Sequence, residues 1–197
     1  MLGLAVLTIA AVAAFSTASA SATELYNGAT TLKSGTAIQM SLSGTFSTTT
    51  TGGTVLDTCT GGGFSGTTSN VGGTGINVID SVAVAGMTLT GCTKTTDNLE
   101  GGTLEIAWTS GSSGSVTGKG FKVTQEWTAE FGGTCAYGFS SGVKLGEIKG
   151  STTADATLAV NAVVNGAAGN SFICPADVKW VANDTYTSPT PLHVTNS

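Results

Sequence analysis

The chain has 197 residues, of which 40% are hydrophobic and only 10% are charged, and its net charge is −5. This balance excludes an intrinsically disordered chain, which needs few apolar residues and a high net charge. It also excludes a nucleic-acid partner, since the seven basic residues are too few to form a phosphate-binding face. The 29 glycines, with many β-branched threonines and valines, are typical of strands joined by tight turns.

The first 22 residues have the pattern of a secretory signal peptide. Residues 2–15 are an unbroken run of apolar or small residues, and Ala20-Ser21-Ala22 offers a small-x-small cleavage site. Such a run suits the export machinery and is too short to span a bilayer. No Lys or Arg precedes it, which a start codon lying further upstream would explain; a buried N-terminal helix is the alternative. The sequence therefore predicts a signal peptide over 1–22 and a secreted or cell-surface mature chain.

From residue 23 onward, apolar and polar residues alternate over short segments. The clearest cases are Ile76-Val78, Val82-Val84, Met87-Leu89, Leu104-Ile106-Trp108, Phe121-Val123, Leu158-Val160 and Val178-Trp180. Glycine pairs and one triplet, Gly61-Gly62-Gly63, separate these segments and are predicted to lie at turns. Only residues 154–164 are ambiguous between strand and helix. The pattern predicts an all-β fold, a two-sheet antiparallel β-sandwich, as a single domain over 23–197.

Two segments of the chain resemble each other. Residues 35–44 and 102–111 both begin with Gly-Thr and end with Ser-Gly, and each is followed by two cysteines. This order favours two pseudo-repeats, 35–101 and 102–197. Chance is the alternative, because Gly, Ser and Thr are so common here that short identities arise easily.

The four cysteines of an exported chain are expected to form two disulfides. A zinc site is disfavoured because there is no C-x-x-C motif and only one histidine, so no metal or cofactor is predicted. Three pairings are open, and the order of the repeats favours Cys59–Cys92 and Cys135–Cys174. Each bridge is expected to contribute roughly 4 kcal/mol and to join neighbouring strands with Cα atoms roughly 4.4–6.8 Å apart.

No group of residues predicts catalysis. His193, the single histidine, is the fifth residue from the C-terminus and is predicted to be a surface residue rather than part of a Ser-His-Asp site. Glu126 and Glu130 would be about 13 Å apart on a strand, too far for the roughly 5–9.5 Å of a glycosidase pair. Residues 97–100 lack the alternating acidic spacing of calcium loops. The sequence thus predicts a protein that is not an enzyme.

The aromatic residues offer the only candidate binding contacts. Trp108 and Trp180 alternate in phase with aliphatic neighbours and are predicted to be core residues. Trp127 and Tyr137 remain as candidates for stacking on a glycan or a small apolar ligand.

Several short motifs occur together along the chain. They are residues 34–38 and 88–93 in the first half, and 102–111, 134–138, 143–146, Cys174-Pro175 and 187–192 in the second. In this combination the chain resembles a large group of uncharacterised exported bacterial proteins, common in actinobacteria, that are β-rich and have four cysteines. The resemblance implies export, β structure and the four-cysteine frame, and it supplies no activity and no catalytic residues.

These observations predict a non-enzymatic secreted or cell-surface protein with a structural or adhesive role. The alternative is an extracellular binding module for a glycan or a small apolar ligand. No second apolar run reaches the roughly 18 residues of a membrane span, so no span is expected in the mature chain. The sequence does not identify a partner; a cell-wall component, a glycan and another protein are the candidates.

Overall fold

The computed structural model describes residues 23–70, 77–81, 87–127 and 133–196, and for residues 77–81, 87, 95–99, 126 and 127 it describes the backbone alone. The predicted signal peptide, 1–22, lies outside the described residues. Within those ranges every regular element is a strand, which confirms the all-β prediction. Residues 154–164, ambiguous in sequence, mostly belong to a strand. No helix in the described part of the chain is long and apolar enough to span a membrane.

The described residues form sixteen strands. They are β1 (Thr23–Asn27), β2 (Thr30–Thr31), β3 (Ala37–Leu42), β4 (Phe46–Thr50), β5 (Val55–Thr68), β6 (Asn77–Ser81), β7 (Met87–Cys92), β8 (Thr95–Glu100), β9 (Thr103–Ser110), β10 (Ser113–Lys119), β11 (Phe121–Trp127), β12 (Gly133–Phe139), β13 (Val143–Lys149), β14 (Thr157–Gly166), β15 (Asp177–Ser188) and β16 (Leu192–Asn196). Strands β16, β1 and β2 form a small sheet, and the other strands form one large antiparallel sheet.

The large sheet closes on itself. Strands β3 and β4 run end to end between β15 and β5, and β6 and β7 run end to end along β5. Likewise, β8 and β9 are successive parts of one longer strand, β10 and β11 of a second, and β12 and β13 of a third. Each long strand pairs with the next in the chain, and β15 pairs back with β3 and β4. We call this circuit of eight long strands the strand ring. Its walls face each other across the core, as the sheets of a sandwich do.

The glycine triplet lies inside a strand rather than at the predicted turn. Gly61, Gly62 and Gly63 are in the middle of β5, where Gly62 has φ +148°. A Cβ atom on Gly62 would collide with the Thr88 carbonyl oxygen, and one on Gly63 with the Met40 carbonyl oxygen. The turn prediction was wrong here because glycine serves a close backbone approach as well as a turn. The Gly52-Gly53 pair does lie in the β4–β5 turn.

The small sheet covers one end of the strand ring. Its Thr23 hydroxyl accepts a hydrogen bond from the Trp108 backbone N–H (2.9 Å), and the Val194 N–H donates to the Ser112 carbonyl (3.3 Å). The Asn70 amide, just beyond β5, binds both the N–H (2.8 Å) and the carbonyl (3.0 Å) of Leu25. Leu25 is itself fully buried. Strands β1 and β16 are therefore built into the fold.

His193 is buried, so its prediction as a surface residue was wrong. It lies in β16 opposite Tyr26, with 6% of its surface exposed and its ring centroid 5.5 Å from that of Tyr26. Burial lowers the pKa of its imidazole below the usual value. Its nearness to the C-terminus was misleading because β16 pairs with β1 and packs on the end of the ring.

Both predicted disulfides are present, Cys59–Cys92 and Cys135–Cys174. Their Cα separations are 3.8 and 5.7 Å, so only the second falls in the expected window. Cys59 and Cys92 are directly opposite each other on β5 and β7, as expected of neighbouring strands. The second bridge instead joins β12 to the 167–176 loop, which precedes β15. One bridge therefore joins two strands, and the other joins a strand to a loop. The two pseudo-repeats stay a prediction.

Candidate ligand-binding cavity

A cavity of about 90 Å³ lies inside the strand ring. Every one of the eight long strands contributes to its lining. The apolar lining residues are Met40, Leu42, Phe46, Phe64, Leu89, Leu104, Phe121, Phe139, Leu145, Leu158, Val160, Trp180 and Ala182. Protein cores are normally packed with few voids larger than a water molecule. The residues that line this cavity lack packing partners on its side, and the lost dispersion contacts lower stability.

Five aromatic rings follow one another along the cavity lining. Centroid distances are 6.1 Å from Phe46 to Trp180, 6.0 Å from Trp180 to Phe139, 5.8 Å from Phe139 to Phe121 and 6.2 Å from Phe121 to Phe64. All four contacts are tilted, within the range preferred by aromatic pairs. The five aromatic side chains come from β4, β15, β12, β11 and β5. They are therefore brought together only when the strand ring closes.

Asp184 places a carboxylate in this apolar lining. In β15 the buried positions are Val178, Trp180, Ala182 and Tyr186, so Asp184 continues the inward-facing series. It is the one charged side chain among the described residues of the lining, and none of them donates a hydrogen bond to it. Burial raises the pKa of its carboxyl group to about 6, because the apolar surroundings disfavour the charged form.

Two further polar groups on β15 are buried. The Trp180 indole N–H and the Tyr186 hydroxyl have no hydrogen-bond partner among the described residues. Trp180 also lines the cavity and is 4% exposed. Burial, and then the negative charge of Asp184, raise the pKa of Tyr186. An apolar pocket with a few fixed polar groups is the usual composition of a small-molecule site.

We expect Asp184→Asn to stabilise the protein at pH 8 by about 1–2 kcal/mol, because it removes a partly desolvated charge. The folded-state pKa lies above the unfolded value, so the wild-type carboxyl favours folding below about pH 4 and loses that contribution as the pH rises through 6. The variant's advantage should therefore vanish near pH 4. Urea unfolding at both pH values measures it.

The matched control for this prediction is Asp177→Asn, an exposed carboxylate on the same strand. It changes the net charge equally and should shift stability by less than about 0.5 kcal/mol. Comparing variants at one pH also cancels the contribution of His193. Equal effects of the two substitutions at pH 8 would contradict the half-buried, inward-facing position of Asp184.

A buried polar cluster lies in the core near the Cys59–Cys92 bridge. Asp57 accepts hydrogen bonds from the backbone N–H of Thr58 (2.7 Å) and Lys94 (2.9 Å), from the Thr93 hydroxyl (2.8 Å) and from the Gln125 amide (3.0 Å). Asp57 also lies with Cys59 and Cys92 in a group whose ligand atoms are within 4.8 Å of one another. Both sulfurs are in the disulfide and cannot act as thiolate ligands, so the group is not a metal site.

The two aromatic residues predicted as binding contacts lie in different places. Tyr137, in β12, is fully buried, and burial raises its pKa to about 12, so its ring is not an exposed stacking surface. Trp127 ends β11 opposite Gly133, and its side chain lies outside the described part of the chain. Trp180 is a core residue as predicted, and Trp108 packs half-buried against the core.

Sequence reasoning missed Asp184 and the four phenylalanines of the cavity as site residues. A usable signal was present for Asp184. The alternation of Val178 and Trp180 continues through Ala182 to Tyr186, which places an acidic residue on the buried face. Nothing comparable indicates which phenylalanines meet across the ring.

Comparisons with protein families, with curated proteins and with solved structures find no match for this chain. The resemblance to exported actinobacterial proteins stays a prediction. Function is therefore inferred from the cavity and from the residues that line it.

Proposed function

We propose that the mature protein is a secreted or cell-surface binding protein that holds a small apolar ligand inside the strand ring. The cavity carries this proposal, because it is apolar, lies within a closed sheet and is lined from every side of the ring. Closed antiparallel sheets of about eight strands have interiors that side chains fill or that hold one small ligand. The two disulfides support export, since such bonds persist mainly in oxidising compartments.

The small side chain beside the void supports the same proposal. Ala182 faces the cavity and is almost fully buried. A larger apolar residue at this position would fill space that now lowers stability. A ligand that supplies the missing contacts would recover that free energy on binding. The structural or adhesive role, glycan binding and the absence of enzyme activity stay predictions.

The size of the void limits the ligand. A cavity of about 150 Å³ can hold benzene, so 90 Å³ suits a ligand of about four or five heavy atoms, or the end of a longer chain. We therefore choose xenon and 1-butanol as probes. For so few atoms we expect millimolar dissociation constants, equivalent to about −4 kcal/mol.

We expect Ala182→Leu to abolish binding of both probes while raising stability by up to about 2.4 kcal/mol, because its three added carbons occupy the void at roughly 0.8 kcal/mol each. Binding is measured by NMR titration of the Trp180 indole N–H and of the Leu145 and Leu158 methyl groups, which line the cavity. The Trp108 indole N–H, which donates to the Gly111 carbonyl, is the internal reference and should not shift.

Val181→Leu is the matched control, because Val181 neighbours Ala182 on the opposite, exposed face of β15. This variant should bind both probes like the wild type. The proposal would be rejected if neither probe shifts the cavity signals of the wild type, or if Ala182→Leu binds them unchanged.

A further inference from the structure

We infer that the ligand carries a cationic amine, and that the Asp184 carboxylate in the cavity wall pairs with it. This inference rests on the proposed ligand-binding function and names the chemical class of the ligand. The predicted ligand is thus a short alkylammonium group, or the amine end of a longer apolar molecule.

The position of Asp184 is the first observation behind this inference. Along the ring wall its direct neighbours are Leu42 on β3 and Leu158 on β14, neither of which can compensate a charge. Tyr186 on the same strand is the titratable group that interacts with Asp184, and its effect is repulsive once it ionises. The other described lining residues carry no charge. A carboxylate placed among apolar groups is unfavourable unless a cation or donors compensate it.

The aromatic lining is an independent second observation. The chain of five rings reaches from Phe46 through Trp180 to Phe64, so a head group in this cavity lies among aromatic side chains. Aromatic faces are electron-rich and attract ammonium groups more than neutral ones. A carboxylate and aromatic rings in one apolar cavity therefore both favour a cation over an alcohol or an anion.

The acidity of Asp184 adds a pH dependence to this selectivity. Its raised pKa, about 6, means that the carboxyl group is ionised at pH 8 and protonated at pH 4.5. An alkylammonium, with a pKa near that of a lysine side chain at about 10.4, stays charged over this range. Tyr186 does not ionise over this range because its pKa is raised. The preference for an amine should therefore be present at pH 8 and lost at pH 4.5.

The test compares n-butylamine with 1-butanol, which have the same length and differ in charge. For the wild type at pH 8 we expect butylamine to bind about tenfold more tightly, as read from the Trp180 indole signal in NMR titrations. At pH 4.5 the ratio should fall below about twofold. Asp184→Asn should show the low ratio at both pH values while still binding butanol.

Asp177→Asn is the matched control, since it removes an equal charge from an exposed position on the same strand. It should keep the tenfold ratio, which separates a cavity effect from general attraction of cations to a negative protein. The inference is overturned if wild-type butanol binds as tightly as butylamine at pH 8, or if Asp184→Asn keeps the preference; ligand binding in the cavity would then still stand. If neither compound shifts the cavity signals, both proposals fail.

Discussion

Replacing Asp57 with alanine is expected to lower the free energy of unfolding by about 3–5 kcal/mol. Asp57 is fully buried, and its carboxylate accepts hydrogen bonds from four donors on three parts of the chain. Truncation leaves the Lys94 N–H and the Gln125 amide without this acceptor, at about 1–3 kcal/mol for each buried donor that stays unsatisfied. The Thr93–Lys94 turn between β7 and β8 would also lose its two hydrogen bonds to the Asp57 side chain, and only its hydrogen bonds with Thr58 would still join it to β5. Urea unfolding followed by circular dichroism measures the change.

Asp57→Asn should cost less, about 1–2 kcal/mol. The Gln125 Oε1 atom is buried without a partner among the described residues, so a turn of the Gln125 amide can offer it to the new asparagine NH₂. Glu105→Ala is the control, because Glu105 forms a partly exposed ion pair with Lys119 (2.6 Å) that is worth at most about 1 kcal/mol. A loss at Asp57→Ala no greater than that of Glu105→Ala would contradict the role given to the cluster.

Removing the Cys135–Cys174 disulfide by a double substitution to serine is expected to lower stability by about 4 kcal/mol and to release the 167–176 loop. The bridge closes a loop of 39 residues. Without it the unfolded chain gains conformational entropy worth about 4 kcal/mol, which favours unfolding by that amount. Either single Cys→Ser change should cost nearly as much, since it breaks the same bond. Apart from the bridge, Asn170 holds the loop by binding the backbone of Ala136 (2.9 and 2.8 Å).

Limited proteolysis with chymotrypsin gives this prediction a local measurement. Phe172 lies in the loop and is 98% exposed, so cleavage after it reports how freely the loop moves. Cleavage in the Cys135→Ser/Cys174→Ser variant should be at least about tenfold faster than in the wild type, the increase expected for a loss of about 1.4 kcal/mol in local stability. Cys59→Ser/Cys92→Ser is the matched control, with similar global destabilisation but an intact loop bridge. Equal cleavage rates at Phe172 in the two variants would show that the bridge does not restrain the loop.

The sequence by itself determined the all-β class and the core position of Trp180, and it predicted two disulfides, with the order of the similar segments favouring the pairing that the structure has. These follow from local or compositional features. Alternation of period two selects which residues share a face, and the predicted signal peptide together with an even number of cysteines predicts disulfide bridges. The alternation of buried and exposed residues in β15 also places Asp184 on the inner face of the strand. That Asp184 is a candidate site residue becomes clear only once the cavity is known.

Only the tertiary structure decided which strands meet. The pairing of β15 with β3 and β4 closes the ring across more than 100 residues of chain, and no local pattern encodes that register. Ring closure brings Phe46, Phe64, Phe121, Phe139 and Trp180 together around one void. Similarly, β16 buries His193 because it pairs with β1, and β5 uses the glycine triplet for close backbone approach.

The physical reason for this division is the range of the interactions involved. Propensity and alternation act between residues that are near in sequence, so they predict strands and their faces. A cavity arises from what side chains on distant strands fail to fill, and the free energy of Asp184 depends on neighbours that only strand pairing supplies. The sequence therefore determined the elements of this protein, and the tertiary structure decided where the cavity forms and which residues line it.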